Sequence, residues 1–171
     1  MTKIILVCGK AGSGKTTFAH YMQEYINSLG LKAKVLHNAE PVKAIAKESL
    51  QWNGVKDKEG RQLLIDLTDM GYSVAPCFWE SITDILIKLI KPDVVIIPDW
   101  RYQTTHDYFK EHYGDNVTTI KVQSCNVEEG THSNHSSETA MDKFYLDYLV
   151  YNNYDLDYLQ ATAKDIAKQC L

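Results

Sequence analysis

The sequence predicts an α/β protein built on a five-stranded parallel sheet with helices on both faces. Three observations predict it. A short apolar run, Ile4-Ile5-Leu6-Val7-Cys8, leads directly into Gly9-Lys10-Ala11-Gly12-Ser13-Gly14-Lys15-Thr16, and a helical pattern starts at Lys15. A second run, Asp93-Val94-Val95-Ile96-Ile97, is continuous and β-branched, as a strand covered on both faces must be. Strand-like and helix-like segments then alternate along the chain, which implies right-handed crossovers and parallel strands.

The first strand spans about 3–8. In the helix that follows, Phe18, Met22, Tyr25, Ile26 and Leu29 recur at helical spacing, and Gly30 suits the residue after its end. Lys34-Val35-Leu36-His37 reads as a short second strand. Pro41 fits the first turn of a helix running to about Leu50. Asp57 can cap another, with Leu63, Leu64 and Leu67 inward. Beyond Pro76 a further helix is expected to bury Trp79, Ile82, Leu86 and Leu89. The third strand is 93–97, followed by a helix near 103–113 that Gly114-Asp115-Asn116 interrupts. Val117–Val122 and Asp147–Tyr151 supply the fourth and fifth strands, and an amphipathic helix closes the chain.

Such sheets bind ligands beyond the carboxyl ends of their strands, where the glycine-rich turn lies. Its spacing, G-x-x-x-x-G-K-S/T between a strand and a helix, is that of a phosphate-binding P-loop. Glycines let the backbone curl so that several N–H groups point at one anion, and the helix N-terminus adds partial positive charge. Gly9, Ala11, Gly12, Ser13, Gly14, Lys15, Thr16 and Thr17 are therefore the expected triphosphate ligands. Lys15 would reach the β- and γ-phosphates of ATP, and the Thr16 hydroxyl would ligate Mg²⁺. A glycine-rich turn ending in Lys-Thr without function is the competing reading.

Composition narrows the class. The chain has 171 residues, expected to form one domain over 1–171, and its 44% apolar and 23% charged content is ordinary for a soluble globular protein. A net charge of −4 offers no general attraction to nucleic acid or anionic membranes. No run is long enough to span a membrane, and the N-terminal run is too short for a signal peptide. Cys8, Cys77, Cys125 and Cys170 are scattered, which reads as buried free thiols of a cytoplasmic protein. Sixteen lysines accompany only two arginines, Arg61 and Arg101. Each Arg is thus a candidate for bidentate phosphate recognition, which Lys does badly.

Pro98-Asp99-Trp100-Arg101 follows the buried strand, so Asp99 is expected at the sheet's carboxyl edge as an acid that holds Mg²⁺. Helix capping is its plainer role. Arg101 could neutralise charge during transfer or form a structural ion pair. Arg61 lies in a charged turn near a helix start, where phosphate binding and plain solvation both fit. The polar stretch at about 125–138 reads as a lid or as a surface loop. It carries His132 and His135, which could touch phosphate or base but do not make a zinc site by themselves. Ser136 and Ser137 can cap a following helix.

Taken in order, these motifs resemble the deoxynucleoside monophosphate kinase family of phages and bacteria, P-loop kinases similar to adenylate kinase. The resemblance covers most of the chain. It rests on the P-loop, Ala39-Glu40-Pro41-Val42-Lys43, Gly60-Arg61-Gln62-Leu63-Leu64 with Trp79 downstream, Asp99-Trp100-Arg101-Tyr102, His135-Ser136-Ser137-Glu138 and Tyr151-Asn152-Asn153. It implies a three-layer P-loop kinase fold with a small lid, and transfer of the ATP γ-phosphate to a (deoxy)nucleoside 5′-monophosphate. Lys15 and Thr16 would serve the donor, Asp99 the metal, and Arg61 and Arg101 the acceptor phosphate or the group in transfer. Lys43, Trp100 and His135 complete the expected acceptor site, with Trp100, Tyr102 or Trp79 stacking on the base. The lid holds no arginine, so Lys143 or a histidine would stand in for one. Nucleotide substrates are the expected partners, without nucleic acid or membrane, and a homodimer is left open. The alternatives are a kinase of another phosphorylated metabolite, such as phosphomevalonate, and a nucleotide-binding module without catalysis.

Overall fold

The computed structural model describes residues 2–125 and 144–171. They pack as two compact units, one of Met1–Leu36 with Lys91–Leu171 and the other of His37–Ile90.

The larger unit holds the sheet. Strands β1 (Lys3–Cys8), β2 (Ala33–Val35), β3 (Val94–Ile97), β4 (Val117–Gln123) and β5 (Tyr148–Tyr151) lie in the order β2-β3-β1-β4-β5. Every neighbouring pair is parallel. Helices α1 (Lys15–Ser28) and α6 (Leu156–Cys170) share a core with one face, burying Phe18, Met22, Ile26, Leu159 and Ile166 against Ile5, Val7, Ile96 and Ile120. Side chains alternate across a strand, so Ile4, Leu6 and Cys8 point to the opposite face, and α5 (Gln103–Tyr113) packs there on β1 and β4. All of Ile4–Cys8 and Val94–Ile97 is buried, as continuous apolar runs in a doubly covered sheet require. The expected five-stranded α/β architecture is thus present. Strand β2 begins one residue earlier and ends sooner than expected, because its ladder opens at Ala33 opposite Val94.

The smaller unit is helical: α2 (Glu40–Leu50), α3 (Lys58–Val74) and α4 (Phe78–Ile90). Asp57 caps α3 as expected, its Oδ1 accepting from the Gly60 N–H at 2.8 Å. The core comprises Val42, Ala46, Leu67 and Trp79, with Leu63, Leu64 and Ile82 half-buried around it. Helix α4 departs from expectation. Leu89 is 73% exposed and Leu86 39%, while Glu80, Thr83, Asp84 and Ile87 are buried with Trp79. Its apolar side chains do not name its inner face, because Ile85, Leu86 and Leu89 are exposed while the polar Glu80, Thr83 and Asp84 are buried. Polar partners decide it instead: Tyr72 Oη donates to Glu80 Oε1 at 3.1 Å, and Thr83 Oγ1 to Asn38 Oδ1 at 2.7 Å.

All four cysteines are free; Cys8 and Cys170 are buried, Cys77 is half-buried and Cys125 is exposed, against the expectation that all are buried. Burial pushes the Cys170 thiol up to about 11, so it stays protonated and inert at neutral pH. A thiol reagent at about pH 8 should therefore modify Cys125 first, and Cys8 and Cys170 only on unfolding. Peptide mapping that finds Cys170 labelled as fast as Cys125 would contradict this packing. Among the described residues, no helix is long and apolar enough to cross a membrane.

Candidate functional site

The turn between β1 and α1 has the curled form expected of an anion cradle. Gly9, Gly12 and Gly14 have φ of 151°, 79° and 88°, backbone that other residues rarely adopt. Space is the second constraint. A Cβ on Gly9 would collide with the Val122 carbonyl, and one on Gly14 with the Asn152 amide. The loop closes on itself: the Ser13 N–H donates to the Lys10 carbonyl at 3.1 Å, and Lys15 Nζ donates to the same oxygen at 3.0 Å. Gly14 stands at the N-cap of α1 with no side-chain cap, and the first turn holds no acidic residue. No side-chain cap and no acidic side chain therefore competes with an anion at this helix end, where the dipole favours one.

Ala11, Gly12, Thr16 and Thr17 are exposed and Lys15 is half-buried. Ser13 is the exception. It is 1% exposed, and its Oγ has no hydrogen-bond partner among the described residues. Beside the cradle, β3 runs parallel to β1 with Ile97 opposite Leu6. Asp99 lies in the turn two residues beyond Ile97, at the carboxyl end of β3. Asp99 and Arg101 are both half-buried. An alcohol and a carboxylate at an anion cradle suit Mg²⁺, which takes few protein ligands and completes its shell with phosphate and water. Among the described residues no three His, Cys, Asp or Glu side chains converge, so a metal held by protein alone has no site there.

The backbone superposes on the shikimate kinase of Aquifex aeolicus vf5 with a TM-score of 0.50 at 15% identity, covering 97% of this chain and 96% of that one. A gluconokinase from Sinorhizobium meliloti 1021 gives a TM-score of 0.50 at 14% identity, over 98% and 92% of the two chains. The chain has the P-loop kinase fold. Identity this low speaks for the fold alone. No family model and no curated protein matches the sequence.

Of the residues expected on the acceptor side, Lys43 and Arg61 lie in the His37–Ile90 unit. A cavity of about 510 Å³ there is lined by Glu40, Lys43, Lys47, Glu48, Trp52 and Lys56, among others. Lys43 Nζ pairs with Glu40 Oε1 at 2.6 Å, and this bond holds the Glu40 carboxyl below its usual range. Arg61 is exposed, and its Nε donates to the Lys56 carbonyl at 2.8 Å. Lys43 and Lys56 thus line the cavity, and Arg61 is joined to it through the Lys56 carbonyl.

Two aromatic expectations fail. Trp100 is 1% exposed, its Nε1 donates to the Tyr102 carbonyl at 2.8 Å, and its ring stacks on Phe144 at 4.5 Å between centroids. That face is not offered to a base. Trp79 is equally buried, with Nε1 on the Thr68 carbonyl at 3.0 Å, and belongs to the core. His132, His135, Lys143 and the 125–138 lid, beyond Cys125 itself, lie outside the described residues.

One residue of the cradle escaped sequence reasoning. Asn152, just past β5, donates from Nδ2 to the Ser13 carbonyl at 3.0 Å. Tyr151-Asn152-Asn153 stands out in the sequence, but nothing there ties it to a loop 139 residues away.

Proposed function

We propose that this chain is an ATP- and Mg²⁺-dependent kinase whose acceptor is a (deoxy)nucleoside 5′-monophosphate, yielding the diphosphate. The observation that carries the reading is the uncapped, glycine-built cradle with Lys15 and Thr16 at its rim and Asp99 at the end of the neighbouring strand. The acceptor class rests on the family resemblance, with Lys43 in the wall of a cavity of the helical unit as the residue nearest to supporting it.

An acceptor phosphate oxygen forms a bond to the γ-phosphorus, the bond from that phosphorus to the β–γ bridging oxygen breaks, and ADP leaves with the electron pair. The acceptor oxygen is already anionic, so no general base is needed. The loop N–H groups and the α1 N-terminus hold the phosphates in line, and the Lys15 ammonium balances charge that builds up on them. Thr16 and Asp99 are the residues to hold Mg²⁺, which neutralises phosphate charge when bound. Arg101 is assigned to the group in transfer and Lys43 with Arg61 to the acceptor phosphate.

The test is a coupled ADP-release screen with ATP, Mg²⁺ and each common nucleoside and deoxynucleoside monophosphate. Phosphorylated metabolites without a base serve as the comparison set. At least one nucleotide should raise the rate about tenfold or more over ATP alone. Turnover of only a baseless metabolite would move the acceptor class while keeping the kinase. Tight ATP binding without transfer to any acceptor would leave a nucleotide-binding module.

A further inference from the structure

We propose that Asn152 is a positioning residue of the phosphate cradle, fixing which way the Ser13–Gly14 peptide faces. The proposal rests on the ATP-binding reading above and adds a residue to that site. A peptide unit is planar, and its C=O and N–H point in opposite directions. The Ser13 carbonyl is held by Asn152 Nδ2 at 3.0 Å. The Gly14 N–H, on the other edge of the same plane, is thereby turned away from Asn152. Were the peptide to flip, a carbonyl dipole would replace an N–H at the anion, converting attraction into repulsion.

Three further features make Asn152 a rigid anchor. Its own N–H donates to the Gln123 carbonyl at 2.7 Å, tying it to the end of β4. Asn153 Oδ1 accepts from the Cys125 N–H at 2.8 Å, fixing the next residue to the same strand exit. Asp155 then caps α6, with Oδ1 accepting from the Tyr158 N–H at 2.8 Å. The chain from β5 to α6 is thus pinned on both sides of Asn152. Gly14 completes the fit, because a side chain there would occupy the place of the Asn152 amide. Glycine at this position serves both its left-handed φ of 88° and the approach of that amide.

The test separates a hydrogen bond from mere filling of space. Asn152→Leu keeps the branched outline, at larger volume, without a donor or a charge, and Asn152→Asp keeps both shape and volume but presents acceptors to the Ser13 carbonyl. Affinity for ATP with Mg²⁺ should fall about tenfold in Asn152→Leu and on the order of a hundredfold in Asn152→Asp, with melting temperatures close to the parent. In turnover, KM for ATP should rise in parallel while KM for the acceptor holds. Parental ATP affinity in either folded variant overturns the role of Asn152 and leaves the kinase reading intact. If the parent protein binds no ATP, both fall together.

Discussion

Lys15→Ala should lower ADP formation by on the order of a thousandfold or more while leaving the fold in place. In the structure Lys15 Nζ donates to a carbonyl of its own loop, the Lys10 oxygen at 3.0 Å, and the side chain is half-buried. Removing it opens no cavity, so stability should change by no more than about 0.5 kcal/mol. Catalysis is different. The ammonium acts on charge that grows as the phosphoryl group moves, so its loss should weigh on kcat more than on ATP affinity. The measurement is kcat and KM for ATP, with thermal unfolding as the control. A variant that unfolds like the parent and still turns over at its rate would remove Lys15 from the chemistry.

Gly71→Ala should destabilise the helical unit by about 2 kcal/mol, with a sign opposite to helix propensity. Within a helix, Gly to Ala ordinarily adds up to about 1 kcal/mol of stability. Gly71 is buried in α3, and a Cβ there would overlap the ring of Trp79. That ring is 1% exposed and tied by Nε1 to the Thr68 carbonyl at 3.0 Å, so it has nowhere to retreat without losing a buried hydrogen bond. The smaller ring in Trp79→Phe should relieve part of the clash, so the double variant should lose less than the two single changes summed. Denaturant unfolding measures both. A stabilised Gly71→Ala protein would show that α3 and α4 do not pack this closely.

The glycine loop was legible because its constraint is local. Eight consecutive residues, Gly9–Thr16, carry the φ angles, the N–H groups, the ammonium and the hydroxyl, and the buried runs on either side of the fold orient them. Asp99 was legible for the same reason, standing directly after a strand whose apolar run declares itself. The acceptor half was less so. Trp100 stood in the right stretch of sequence, but its burial depends on Phe144, far along the chain, and no local pattern announces that pairing. Asn152 shows the converse, a polar residue with no local task that becomes part of the cradle through one long-range hydrogen bond.

By itself, the sequence determined the parallel α/β sheet, the order of its elements and the place of the phosphate loop, because backbone geometry and hydrophobic period act over a few residues. Only the tertiary structure decided which face of α4 turns inward, which aromatics are core and what holds the Ser13 carbonyl. Those outcomes depend on partners brought together by folding, as Tyr72 and Asn38 are for Glu80 and Thr83 on the buried face of α4.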